Sequence, residues 1–500
     1  MVIYTWYFND NEKGTKTVRR YVEKIESILT ETPLDIHEDT YAAVEGLRAI
    51  YAHVDGKERL IVDGNKSFRF KGDIAGGKSG IRVCPMDHEN RVALNRDFAY
   101  TAPTALGRDV ASFGCGDRLG IAGIGQLRAI AKTKVRPVLA QQSLRELSLT
   151  GRTYEDILDA ASWAVFKSGY KGGYGADGDH LKSLEEIETA LDHGVSMITL
   201  DCSLVLEDVP EDEKERAGAY AQLPADYRER VEKEYLQDEE LRDLGIDFDQ
   251  ATLENTVLVY RKAVDLATEV YQLIKKKRLR VDLEISLDET THTTDLTAHY
   301  FVANELDENL VKINSLAPRF VGEFQKAIDY IGDVDAFQED LRAHCKIADH
   351  FGYKISIHSG SDKFMAFPSI ARETKGRFHL KTSGTSWLEA VRVISQCDPA
   401  LYRDMHQAAL ENLDRARAFY AVHCDTSKIR PLDEVADEDL PKYMQEDDAR
   451  QLLHITYGYM LKENEEIHSR ICKVLSEHID EYTAALEKHI EKHLHLLDCV

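Results

Sequence analysis

Residues 353–362 read YKISIHSGSD, a short apolar segment alternating with serine and histidine that breaks off into a polar tail. Alternate side chains of a strand point to opposite faces, so Ser356 and His358 share the face opposite Ile355 and Ile357, and His358 stands at the C-terminal end. Polar groups on one side of an apolar strand are costly inside a packed barrel unless they line a site. Whether the segment belongs to such a barrel depends on its neighbours.

Downstream, RFHLKTSGTSWLEA sets His379, Lys381 and Ser383 together, and upstream NLVKINSLAPRF sets Lys312 with Asn314. The same plan recurs in VASFGCGDRLGIAG, RPVLAQQSLRE, the segment ending YGADGDHLK, GVSMITLDCS and RVDLEISLDET. Between them lie stretches of helical apolar spacing such as YEDILDAASWAVFKSG and SLEEIETALDHG, with Gly169 and Gly194 as stops. Eight strand–helix units in a row predict an α/β fold, a closed (β/α)8 or TIM barrel over residues 106–400, with its active site at the carboxyl ends of the strands.

Residues 1–105 are expected to form an N-terminal α+β extension, with helices around VRRYVEKIESILT and TYAAVEGLRAIYAHV. A charged helical insertion is expected after the fourth barrel strand, at about 207–250, and a helical C-terminal region over 401–500. His489 and His493 in that region are i,i+4 neighbours able to hold a metal, but a solvated helix face explains them as well.

GDIAGGKSG, residues 72–80, fits the phosphate-loop pattern through Gly72, Gly77, Lys78 and Ser79. That loop works only between a strand and an immediately following helix. GIRVCPMDHENRVAL offers instead β-branched residues, Pro85 and no helical spacing, so a glycine turn in a hairpin is expected, and no nucleotide. The minority kinase reading would require nucleotide affinity through Lys78.

With 63 Lys and Arg against 88 Asp and Glu, the net charge of −25 opposes nucleic acid and anionic membrane surfaces. No apolar run is long enough to cross a bilayer. Eight scattered cysteines, without a C-x-x-C pair or a secretory leader, point to a reducing cytoplasm.

The chemistry gathers at strand ends. ADGDHLK offers Asp177, Asp179, His180 and Lys182, and EISLDETTHTTDLTAH offers Glu284, Asp288, Glu289, His292 and His299. With His358 these supply imidazoles and carboxylates from three strand ends, the donors that Zn, Mn, Ni and Co accept, so a divalent metal ion is expected. Asp117, Arg118, Gln141, Ser143, Lys182, Asn314, Arg319, Ser359, Asp362, Lys381 and Ser383 make a ring of hydrogen-bonding groups suited to a polyhydroxylated small molecule. Arg319 and Lys381 are candidates to receive a carboxylate, and the N–H groups around Ser359 and Gly360 a phosphate.

GDRLG, LAQQS-x-RE, GAD-x-DHLK, S-x-DET, LAPRF-x-G, YKISIHSGSDKF and HLKTSGTSWLEA, in that order over roughly residues 105–400, resemble the tagaturonate epimerase family. The resemblance implies an isomerase: a metal-dependent barrel enzyme interconverting D-tagaturonate and D-fructuronate in hexuronate catabolism, with no nucleotide. Carried over residue by residue, it implies Asp179 as an acid/base residue and His180 and His358 as metal ligands. His299 is the expected third ligand, with Glu289 competing, and either Glu284 or Glu289 is the second acid/base group.

The two ketouronates differ at a hydroxyl-bearing carbon β to the ketone, whose proton is too weakly acidic for simple removal. Retro-aldol cleavage and re-addition is therefore the expected route. An epimerase or isomerase of a related ketose or modified sugar, and a non-catalytic sugar-acid binding protein, are the alternatives. Metal identity and oligomeric state stay open.

Overall fold

A computed structural model of the chain describes residues 12–500 except 78–79, 238–239, 291 and 421. The N-terminal part contains a helix, Glu12–Ile28, and the strands β1 (Leu34–Val44), β2 (Leu47–Val54), β3 (Lys57–Asp63), β4 (Asp73–Ile74) and β5 (Arg82–Pro85). These strands form one antiparallel sheet in the order β1-β2-β3-β5-β4. The helix expected around residues 40–54 is instead the β1–β2 hairpin, turning at Gly46 with φ of 78°. A glycine inside a helix costs about 1 kcal/mol relative to alanine, whereas a turn uses its positive φ directly.

The phosphate-loop stretch is also a hairpin. Asp73 pairs with Val83 and Ile74 with Arg82, and Gly76 and Gly77 turn the chain with φ of 61° and 67°. The next helix starts at His88 behind its Asp87 cap, too late to cradle a phosphate. Lys78 and Ser79 lie outside the described residues.

The barrel strands are β6 (Ser112–Cys115), β7 (Arg136–Ser143), β8 (Gly175–Leu181), β9 (Met197–Asp201), β10 (Asp282–Ser286), β11 (Ser315–Ala317), β12 (Lys354–Ile357) and β13 (Phe378–Thr382). All pair in parallel with their sequence neighbours, and β13 closes on β6 through His379 opposite Ser112. Strand β11 begins later than its sequence suggests. Lys312 is exposed and pairs with Asp307, and Asn314 lies beside Asp282, the first residue of β10.

The insertion after β9 forms helices Glu213–Ala221, Ala225–Leu236 and Glu240–Asp243. Arg230 and Tyr235 tie it to Glu305 of the helix Leu296–Glu308, at 2.6 and 2.9 Å. The C-terminal helices run from Pro399–Arg417 to Ile479–Leu496, and the last lies against Gly123–Ile130. Gly125 permits that approach, since a Cβ there would come within 2.9 Å of the Thr483 carbonyl oxygen. Among the described residues no helix is long and apolar enough to cross a membrane.

Candidate functional site

A cavity of about 300 Å³ opens at the carboxyl ends of the barrel strands. Gln141, Asp179, His180, Lys182, Glu289, His358, Ser359, Lys381 and Ser383 all line it, so the structure brings these expected residues together. Among the described residues, none of the 207–250 insertion lines it. Near its end β8 is bent at His180 itself, held at φ of 55° where the register with β9 shifts, and the loop after β12 is set by Ser359 at φ of 50°. Non-glycine residues in this left-handed region are uncommon and recur at functional sites.

The two histidines are built alike. His180 Nδ1 lies 2.8 Å from Asp179 Oδ1, and His358 Nε2 lies 2.8 Å from Glu284 Oε1. Each ring thus spends one nitrogen on a carboxylate, which fixes its orientation and raises the basicity of the other nitrogen. The remaining atoms, His180 Nε2 and His358 Nδ1, are buried without a hydrogen-bond partner. Asp288 Oδ1 stands 2.9 Å from His358 Nδ1, yet out of line for a hydrogen bond. His180, Asp288 and His358 offer ligand atoms that all lie within 4.8 Å of one another.

Charge makes the same demand. Asp177, Asp179 and Glu284 surround Lys381 Nζ at 2.8, 2.7 and 3.1 Å, and Thr199 Oγ1 joins them. Burial and the neighbouring carboxylates Asp179 and Glu284 push Asp177 up to about 6, despite Lys381. Burial pushes Asp179 up as well, but His180 and Lys381 outweigh it and hold the carboxyl well below the usual range. Burial pulls the His358 imidazolium down, but Asp288 reverses this and carries it up to about 10. With Asp288 added, four carboxylates face one lysine and two imidazoles, a balance that a divalent cation would complete.

Other expected residues lie elsewhere. His299 is buried in the helix Leu296–Glu308, its Nδ1 2.7 Å from His344 and its Nε2 2.6 Å from the Tyr353 hydroxyl. Both of its nitrogens are occupied, and Asp288 is the carboxylate that meets His180 and His358. Arg118 bonds Glu146 at 2.9 Å and the His454 carbonyl at 3.0 Å, with Tyr457 under its guanidinium. Asp117 caps the N–H groups of Gly120 and Ala122. Asn314 sits at the opposite end of the strands, and Arg319 donates to the Thr290 carbonyl.

Asp362 is bound by Arg450 and His489, each at 2.5 Å, and its backbone N–H donates to His493. Glu284 is buried beneath the cavity, where Ser315, His358 and Lys381 occupy both its oxygens. Asp288, offered by the sequence among the strand-end carboxylates but not chosen over His299 and Glu289, is reached by the alternation Glu284, Ser286, Asp288. Lys326 and Tyr420 also line the cavity, from parts of the chain with no strand-end signal, and Arg145 joins them from just past the end of β7.

The family model described as UxaE, tagaturonate epimerase, matches residues 43–497. A tagaturonate/fructuronate epimerase of Thermotoga maritima is 38% identical over 473 residues, 93% of this chain and 97% of the relative. Crystal structures of a fructuronate-tagaturonate epimerase from Cohnella laeviribosi, native and with glycerol, are 45% identical with a TM-score of 0.89. They match 97% of this chain and 100% of theirs.

Proposed function

This chain belongs to the tagaturonate epimerase family, and on that premise we propose that its barrel mouth interconverts D-tagaturonate and D-fructuronate by retro-aldol cleavage and re-addition. The observation that carries the metal requirement is the pair of buried, unpartnered nitrogens, His180 Nε2 and His358 Nδ1, facing Asp288. These three residues would hold a divalent ion such as Zn, Mn, Ni or Co, with Glu289, whose Oε1 is 3.7 Å from His180 Nε2, beside them. Such an ion supplies electrophilic stabilisation to negative charge developing on the ketone oxygen.

The chain's own groups do the proton work. Asp179 Oδ1 is held by His180 and Lys381, while Oδ2 makes no hydrogen bond among the described residues and the side chain lines the cavity. Asp179 accepts the proton of the β-hydroxyl, the bond between the α and β carbons breaks, and its electron pair passes into the enediolate. The aldehyde so formed turns its other face, re-addition follows, and Asp179 returns the proton. Lys381 keeps Asp179 ionised at the start, and Glu289 is the second acid/base group at the mouth. Gln141, Lys182, Ser359 and Ser383 line the cavity as hydroxyl partners for the sugar. Eight free thiols are in keeping with work in a reducing cytoplasm.

Turnover of D-tagaturonate in D2O tests the route. The expected product carries no deuterium at the epimeric carbon, and Asp179→Asn, assayed at metal concentrations high enough to load its weakened site, loses about a hundredfold or more in rate. Deuterium at that carbon, or full turnover by the metal-loaded variant, would contradict the route.

A further inference from the structure

The cations of the cavity are not alike. Lys381 is surrounded by Asp177, Asp179 and Glu284, and Lys182 pairs with Asp201 at 3.2 Å. Lys326 and Arg145 form no ion pair among the described residues. Lys326 Nζ donates only to Ser359 Oγ, at 2.8 Å, and Arg145 donates to the Phe419 carbonyl at 3.0 Å, its guanidinium 4.5 Å from the Tyr420 ring centre. In a chain with 88 acidic side chains and a net charge of −25, two cations lining one cavity without a carboxylate are an exception that needs a reason. Burial pushes the Lys326 ammonium below its ordinary range, so its position is costly until an anion joins it.

We infer that Lys326 and Arg145, with the Ser359 hydroxyl between the lysine and the metal-ligand loop, form the seat for the carboxylate of the substrate. This rests on the ketouronate reading above and gives it a direction. In a ketouronate the ketone and the carboxylate lie at opposite ends, so seating the acid at Lys326 and Arg145 leaves the ketone end to His180, Asp288 and His358. The expected carboxylate receptors are otherwise engaged: Lys381 by three carboxylates, and Arg319 by the Thr290 carbonyl.

The seat also gives the C-terminal helices a task. Arg450 Nε donates to the Ala327 carbonyl at 2.8 Å and Gln451 Nε2 to the Lys326 carbonyl at 3.3 Å, while Phe419 and Tyr420 orient Arg145. During epimerisation the carboxylate belongs to the aldehyde fragment, the one that must turn over and stay. A fixed charged end allows rotation near the new carbonyl while preventing loss of the fragment. If it escapes, the proton taken by Asp179 can return to the enediolate carbon, giving dihydroxyacetone and a three-carbon aldehyde acid with no other reactant.

The test uses the full-length, metal-loaded protein and D-galactonate, a sugar acid without a ketone, titrated calorimetrically into wild type, Lys326→Met, Lys326→Arg and the double variant Lys326→Met/Arg145→Gln. The expected result is affinity weakened about tenfold or more by Lys326→Met, further by the double variant, and largely restored by Lys326→Arg, at unchanged metal content. The KM for D-tagaturonate should rise in parallel, with dihydroxyacetone released, while binding of neutral D-tagatose stays at the wild-type level. Unchanged galactonate affinity in the double variant, or equal losses for the acid and the neutral sugar, would overturn the seat. If galactonate binding depends on Lys326 but no ketouronate is turned over, the seat stands and the epimerase reading falls. If D-tagaturonate is epimerised with a KM indifferent to both cations, the reverse holds.

Discussion

Of three clusters of histidine and carboxylate among the described residues, two share the same outward geometry at the barrel, the third being Asp35, His37 and His53 on the N-terminal sheet. His180, Asp288 and His358 at the barrel mouth, and Asp362, His489 and His493 where the C-terminal helices meet the loop after β12, each bring their donor atoms within 4.8 Å. In the first, His180 Nε2 and His358 Nδ1 have no hydrogen-bond partner. In the second nothing is left over. Asp362 takes Arg450 and His489 at 2.5 Å, His489 Nδ1 faces Glu389 at 3.3 Å, and His493 accepts from the Asp362 N–H and donates to the His489 carbonyl. Proximity of ligand types therefore does not define a metal site. Unpartnered ring nitrogens beside uncompensated negative charge make the first cluster the candidate, and the second is a latch that fastens the loop carrying His358.

That contrast can be broken most severely at the mouth. His358→Ala should lose stoichiometric metal and about a thousandfold or more in turnover, measured by elemental analysis and NMR. Glu284→Gln, which removes the carboxylate behind His358 that also faces Lys381, should weaken metal affinity about 10- to 100-fold in a chelator competition. At the latch the effect should be on stability. Asp362→Asn should cost about 3 kcal/mol in denaturant unfolding by leaving Arg450 and His489 buried without their anion. Chelator should shift unfolding of wild type and Asp362→Asn equally if the second cluster holds no ion.

The smallest effect is in pH dependence. Burial pulls the His489 imidazolium down, but Asp362 and Glu389 outweigh it and raise it above its ordinary range. A raised histidine stabilises fully below its unfolded value of about 6.5, and the contribution fades as pH rises through the folded value. Burial pushes Asp362 up, but His489 and Arg450 hold it well below the carboxylate range, so its own contribution is lost only in strong acid. The Tm difference between wild type and His489→Gln should be widest near about pH 6 and narrow steadily in alkali. A difference that widens with pH would contradict the latch.

Much of this was legible in the sequence, and the limits have physical causes. The barrel was readable because strand after strand ends an apolar run in polar residues, and His180 and His358 because they close two of those runs. Asp288 follows from the same alternation carried two residues past Ser286. Asp117, Arg118 and Asp362 carry the same polar signal for another purpose, since loops at strand ends need anchors as well as ligands. His299 read as a ligand because a histidine near a strand end looks the same whether its nitrogens are free or spent. Lys326 and Tyr420 come from a loop and a distant helix end, where no periodicity points inward, and Arg145, though it stands in the quoted LAQQS-x-RE, lies past β7 in a helix where strand alternation no longer applies. The β1–β2 hairpin read as a helix because its apolar residues also suit helical spacing, and only the conformation at Gly46 separates the two.

The most direct test of the central claim follows D-tagaturonate by NMR with chelator-stripped protein, then with Mn, Co, Ni or Zn returned in turn, alongside Asp288→Asn. The account predicts no D-fructuronate from the stripped protein, recovery with at least one of these ions, and little recovery in Asp288→Asn at the same metal concentration. Undiminished conversion by protein shown by elemental analysis to hold no metal would contradict it.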